Sequence, residues 1–199
     1  MPELTLEESG HVYRADGVIV PSVTQVLSDV GIIDYSMIPA GDRERYLQRG
    51  EDVHVATHYD DEGDLDDSAL QEDLSGYLLA WRKFRVDTGF TPDLIEHRGF
   101  HEKYRYAGTL DRTGDWKGRK ILLDMKTGKA APFVRIQLAA YAGFFEHPGS
   151  FHRVSVELHG DGTYQLQEFR CSDYRQDFSV FVAALLVYRW KERHGLTGM

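Results

Sequence analysis

Apolar and polar positions alternate loosely over residues 11–20, HVYRADGVIV, on either side of Asp16-Gly17. That pair favours a tight turn, so the stretch predicts a short hairpin. Pro21 stops the second strand. Ser22 caps a short helix to about Ser28, with Gly31 after it. A second helix is expected from Pro39 to about Tyr59, with Tyr46, Val53 and Ala56 facing inward. Its acidic exit, YDDEGDLDD, reads as an exposed, mobile loop. A third helix from Asp67 or Ser68 to about Thr88 carries Leu70, Leu74, Tyr77, Leu78, Trp81 and Phe84 at helical spacing, and Gly89 ends it.

The pattern then changes period. Leu94 to His101, Tyr104 to Arg112 and Arg119 to Met125 read as strands, with 113–118 as a hairpin loop between the last two. Pro132 precedes a helix from about Phe133 to Glu146. Strands follow at Arg153 to His159 and Thr163 to Phe169, turning at Gly160-Asp161-Gly162. A last helix, about Asp173 to His194, places Phe178, Phe181, Val182, Leu185 and Tyr188 on one face. This order predicts an α/β or α+β domain, a central mixed sheet flanked by helices. One domain is expected over 1–199, with an N-terminal hairpin (1–21), a helical part (22–90) and a sheet core with flanking helices (91–199).

Composition narrows the classes. At 199 residues, with 42% hydrophobic and 28% charged residues, the chain suits one soluble globular domain. No apolar run reaches the ~20 residues of a membrane span, and MPELTLEESG has no signal-peptide pattern. The single cysteine, Cys171, excludes an intrachain disulfide and an all-cysteine iron–sulfur cluster, and suits a reducing cytoplasm. The net charge of −9 is uneven. Residues 51–73 hold ten acidic residues and no Lys or Arg, whereas residues 98–135 hold ten basic and four acidic ones. Such a chain repels polyanions on one side and holds them on another, although charge runs are usually just solvated faces.

The candidate chemistry sits where the second and third central strands end. Asp111 closes YAGTLD, and Asp124-Met125-Lys126 closes the next strand. Side chains two apart on a strand share a face, so Asp124 and Lys126 point together and Met125 points away. Paired as a hairpin, the strands would set Asp111 beside Asp124. Two carboxylates and an ammonium make poor core, but they suit a hard divalent cation, for which the Met125 carbonyl is a further donor. Such a centre, assisted by Lys126, suits attack of water on a phosphodiester. Gln137 and Tyr141, one turn apart, share a face of the following helix. An Asp-x-Lys triplet alone is most often a surface ion pair; the combination gives it weight.

With these residues in view, the chain resembles the RecB-type branch of the PD-(D/E)XK nuclease superfamily. AGTLDR stands thirteen residues before LLDMKTGK, QLAAY follows, and Gly50-Glu51-Asp52-Val53-His54 matches a Gly-x-x-x-His helix motif. VPSVTQVL is similar to the start of such domains, so the likeness runs from about Pro21 to Tyr141. It implies a restriction-endonuclease-like core and a metal-dependent DNA nuclease, of the type of small phage or prophage recombination exonucleases. It also implies His54, Asp111 and Asp124 as ligands of Mg2+ or Mn2+, with the Met125 carbonyl, and Lys126 as the catalytic lysine. Gln137 and Tyr141 would contact DNA or support the site. Cluster cysteines of some relatives are missing, so no iron–sulfur centre is expected.

Around this frame, Glu96 is a candidate supporting acid, and His58 lies one turn beyond His54. Arg43, Arg45, Arg49, Arg112, Lys129 and Arg135 are candidate phosphate contacts. Trp116 is expected to cover its own loop, with base stacking as the other option. DNA is the expected partner, with a recombination or single-strand-binding protein as a further one and no membrane. Two other readings stand beside the nuclease. One is a catalytically weak DNA- or protein-binding module of a recombination or defence complex; the other is a hydrolase of a different phosphodiester.

Overall fold

The computed structural model of the chain describes residues 2–34 and 40–198. Its centre is a five-stranded mixed sheet, so the chain is an α+β domain. The strands are β4 (Thr91–His101), β5 (Tyr106–Trp116), β6 (Arg119–Lys126), β7 (His152–Leu158) and β8 (Tyr164–Phe169), side by side in that order. All neighbours run antiparallel except β6 and β7, which are parallel. The connection between those two holds α4 (Val134–Ala142), as parallel pairing requires a crossover. A separate sheet of β1 (Leu4–Glu7), β2 (Val12–Ala15) and β3 (Val18–Val20) forms the N-terminal part. Its turn has Asp16 and Gly17 both at positive φ, the backbone expected of that pair.

Helices cover both faces of the large sheet. On one, α1 (Val23–Asp29), α4 and α5 (Tyr174–Arg193) bury Leu27, Leu138 and Phe181 against Tyr106, Leu110 and Leu122. On the other, α2 (Ala40–Glu62) and α3 (Ser75–Thr88) bury Val53, Trp81 and Phe84 against Ile121, Leu123 and Met125. Strand β6 is sandwiched, which explains why 121–123 are uniformly apolar. Among the described residues no helix is long and apolar enough to cross a membrane.

Several expected boundaries shift. The β5–β6 connection is a two-residue turn, Lys117-Gly118, with φ of 53° and 80°; Trp116 pairs with Arg119. Trp116 is therefore buried against Phe84, and a buried indole cannot stack on a base. The third helix begins at Ser75, after two short 3-10 turns at 67–69 and 72–74. Helix α4 ends at Ala142 rather than near Glu146. Tyr46, expected inward, is exposed. Pro39, the expected start of the second helix, lies outside the described residues. The acidic exit of α2 is no loop at its start: residues 59–62 remain helical, and the Asp61 side chain is fully buried.

Candidate metal centre

The regular alternation of β5 slips at Asp111. Leu110 packs into the core under α4 and α5, whereas Arg112, two residues on, reaches the opposite side and lies over Trp81. The partner strand is irregular at the same rung. Glu96 has a φ of 46°, and its place opposite Asp111 is skipped between the pairs Ile95–Arg112 and His97–Leu110. A left-handed glutamate inside a strand is a costly conformation that the surroundings must hold. On the other side of β5, the last regular rung with β6 is Arg112–Leu123. Beyond it the Asp111 carboxylate, rather than its backbone, accepts the Met125 N–H, at 2.7 Å.

These irregularities converge three ligand-type side chains. His54 Nδ1 lies 3.1 Å from Glu96 Oε1, and His54 Nε2 lies 3.8 Å from Asp111 Oδ2. Among the described residues, His54, Glu96 and Asp111 form the one group of three metal-ligating types whose donor atoms all fall within 4.8 Å of one another. They come from α2, β4 and β5. Asp124 and Lys126 stand on one face of β6, as alternation predicts. The Lys126 ammonium hydrogen-bonds Asp124 Oδ1 at 3.0 Å and sits 2.9 Å from Oδ2. Asp124 Oδ2 is buried and held by this ion pair, with no further hydrogen bond. Met125 faces the other way, buried in the core against α2 and α3.

The electrostatics are those of crowded acids around one base. Burial alone would lower the His54 pKa, but the Asp111 charge and the Glu96 hydrogen bond outweigh it and hold it at about 9. Burial raises Asp111 to about 6; nearby Asp124 and Glu96 push the same way, against the pull of His54 and Lys126. Burial would also raise Glu96, yet His54 and Arg112 keep it below the usual carboxylate range. Donor types and crowding both fit a divalent cation, which relieves repulsion between carboxylates and accepts oxygen and imidazole ligands.

Helix α4 closes one side. Gln137 Nε2 donates to the Tyr141 hydroxyl at 3.1 Å. Burial raises the Tyr141 pKa, with Asp111 and Asp124 adding to the effect, so the phenol stays neutral. The Tyr141 ring passes close over β5 at Gly108, where a Cβ would lie 2.8 Å from it. In front of the centre a trough of about 970 Å3 runs along α2, lined by Arg43, His54, His58, Lys126 and Lys129 among others.

Two solved structures align over most of the chain. One, of LHK-Exo in complex with dAMP, is 17% identical and covers 88% of this chain and 93% of that one, at a TM-score of 0.41. The other, an alkaline exonuclease (LHK-Exo) from Laribacter hongkongensis, is 14% identical and covers 87% and 92%, at a TM-score of 0.34. No protein-family model and no curated protein matches the chain.

The expected site residues divide. His54, Asp111, Asp124 and Lys126 come together. Glu96, expected only as a support, occupies the tight group with His54 and Asp111, while Asp124 stands beside it on Lys126. The candidate phosphate contacts differ in their surroundings. Arg112 is wholly buried and bonded to Asp61 and Glu96, so it cannot meet phosphate. Arg135 is held by Asp173 and Asp177 on the α5 side. Arg49 stacks on Tyr46 and Tyr77 and reaches the Thr127 carbonyl. Arg45 is exposed, and Arg43 and Lys129 line the trough. Sequence reasoning missed Asp61 and Thr57, which lie behind the centre; their signal was hidden in an acidic run that reads as solvated.

Proposed function

We propose that the chain is a metal-dependent deoxyribonuclease that hydrolyses phosphodiester bonds from a DNA end. The observation that carries this is the convergence of His54, Glu96 and Asp111 beside the Asp124–Lys126 pair, with His54, Glu96 and Lys126 opening onto a trough that Arg43 and Lys129 share with Glu8 and Glu51. A divalent cation, Mg2+ or Mn2+, supplies positive charge against phosphoryl oxygens when bound. His54, Glu96, Asp111 and the buried Asp124 oxygen would hold it, with the Met125 carbonyl within the same strand end. His54 offers its nitrogen only after giving up the proton that Asp111 and Glu96 retain on it. Lys126, anchored on Asp124, presents an ammonium to an oxygen that gains charge during hydrolysis. Gln137 and Tyr141, bonded to each other, keep that wall neutral, and Arg43 and Lys129 attract the phosphate backbone without reading bases. Action from an end, in recombination, repair or phage DNA processing, follows the sequence resemblance.

The test is digestion of linear and circular DNA with Mg2+ or Mn2+, using Asp124→Ala and Lys126→Ala. Wild-type protein should shorten linear DNA only, and both variants should fail. Equal degradation by wild type and variants would reject the assignment. Salt-sensitive DNA binding with no cleavage in any metal would indicate a binding module instead.

A further inference from the structure

The guanidinium of Arg112 has a position that neither the fold nor the ligand group requires by itself. It is fully buried, and every one of its nitrogens is bonded. Nε donates to Asp61 Oδ2 at 2.7 Å. One terminal nitrogen donates to Glu96 Oε1 at 3.0 Å and to the Asp111 carbonyl at 2.7 Å. The other donates to Thr57 Oγ1 at 3.3 Å, and Thr57 in turn donates to the His54 carbonyl at 3.1 Å. One planar group thus touches the backbone or side chain of all three segments that supply the ligand group: the His54 turn of α2, Glu96 on β4, and Asp111 on β5.

Its counter-charge is equally fixed. Asp61, with no exposed side-chain surface, also accepts from Trp81 Nε1 at 2.9 Å and from Arg85 at 2.8 Å, both on α3. Asp61 therefore has no freedom to follow a moving arginine. A buried ion pair seldom adds stability over apolar packing, because desolvating both charges costs as much as their attraction returns. What such a pair does supply is geometry. The fork of Arg112 needs acceptors at set angles, and here those acceptors are attached to the ligands. The left-handed backbone of Glu96, a costly conformation for a non-glycine residue, is one the surroundings must hold, and its side chain is fixed by Arg112 together with His54.

We propose that Arg112, clamped by Asp61, is the positioning residue of the metal centre, setting the mutual placement of His54, Glu96 and Asp111 while touching neither metal nor DNA. This rests on the metal-centre reading above. Groups that orient ligands from behind typically change metal affinity ~10–100-fold when altered. Arg112→Lys keeps the charge but loses the fork, so it should weaken affinity within that range in a folded protein.

The experiment is Mn2+ titration by calorimetry, with the Mn2+ electron paramagnetic resonance signal as a second readout, and thermal unfolding of each protein in chelator. Wild type and Asp111→Asn establish the site. If both bind Mn2+ alike, the metal-centre reading falls and this role falls with it. If only wild type binds, Arg112→Lys is decisive. Weakened affinity with an altered resonance signal supports the proposal, and wild-type affinity and signal in the folded variant overturn it. Should Arg112→Lys fail to fold, Asp61→Asn is read by the same two outcomes. Arg153→Lys, a buried arginine in the same sheet away from the centre, should lower the unfolding midpoint and leave Mn2+ affinity unchanged. A drop in affinity there equal to that of Arg112→Lys would show a general effect of destabilisation and overturn the proposal.

Discussion

Arg112 and Arg153 are chemically alike: each is a strand arginine of the same sheet with no exposed surface, paired with a buried aspartate. Their surroundings differ. Arg153, on β7, donates to the carbonyls of Arg135 and Arg170 and pairs with Asp177 of α5, so it ties two helix and strand ends together. Arg112 instead bonds to groups that carry the candidate ligands. Burial and charge are equal in the two cases, so they do not mark a functional network; the identity of the second acceptor does. At Arg153 that acceptor is a backbone carbonyl outside the site. At Arg112 it is Glu96.

The comparison breaks most sharply at the ligands themselves. Asp111→Asn should reduce DNA cleavage more than ~100-fold in a protein that unfolds as wild type does, measured on end-labelled linear DNA. A comparable loss from Arg153→Lys in folded protein would erase the distinction. Next in size is Arg153→Met. It leaves Asp177 with only the half-exposed Arg135, and removing one partner of a buried pair costs ~3–5 kcal/mol. Urea unfolding in chelator should show that loss, while the folded fraction cleaves at the wild-type rate.

The third test uses protons. The His54 pKa is raised from 6.5 to about 9 by Asp111 and Glu96 against burial. Native protein therefore holds more protons than unfolded protein between those values, and stability must fall as pH rises through that window. The stabilising share of His54 is complete below about 6.5 and lost above about 9. Metal-free protein should show a falling thermal midpoint between pH 6.5 and 9, the span of the His54 shift. The same series on His54→Ala should be much flatter, and one on Arg153→Lys should not be. The smallest effect separates the basic residues. Lys129→Ala should lower the salt slope of DNA binding by about 1, and Arg135→Ala, already occupied by Asp173 and Asp177, should leave it unchanged.

How much was legible follows the same division. Local patterns reached β6 correctly, because alternation over Ile121 to Lys126 needs only one strand. The Ser22 cap and the Asp16-Gly17 turn were equally readable from neighbouring residues; the capping box forms between Ser22 and Gln25. The motif spacing brought His54, Asp111, Asp124 and Lys126 together. It could not rank Glu96, whose role depends on a left-handed backbone that glutamate does not announce. Nor could it place Arg112 or Asp61. A charge in a charge-rich stretch reads as solvated unless its partner is known, and these partners lie 51 residues apart. Trp116 shifted for a different reason: a two-residue turn in place of a six-residue loop carries it from the tip into the core, so its structural role stands and the base-stacking option falls.

The antiparallel order of β4, β5 and β6 also bears on how the centre assembles in time. Glu96, Asp111, Asp124 and Lys126 lie on one continuous meander, so they meet through short chain closures that cost little entropy and form early. His54 arrives from a remote segment. The Asp61–Arg112 bond is one of several long-range contacts that join α2 to the meander, beside His54–Glu96 and Arg112–Thr57. Binding competence for metal should thus appear with the docking of α2 rather than with formation of the sheet.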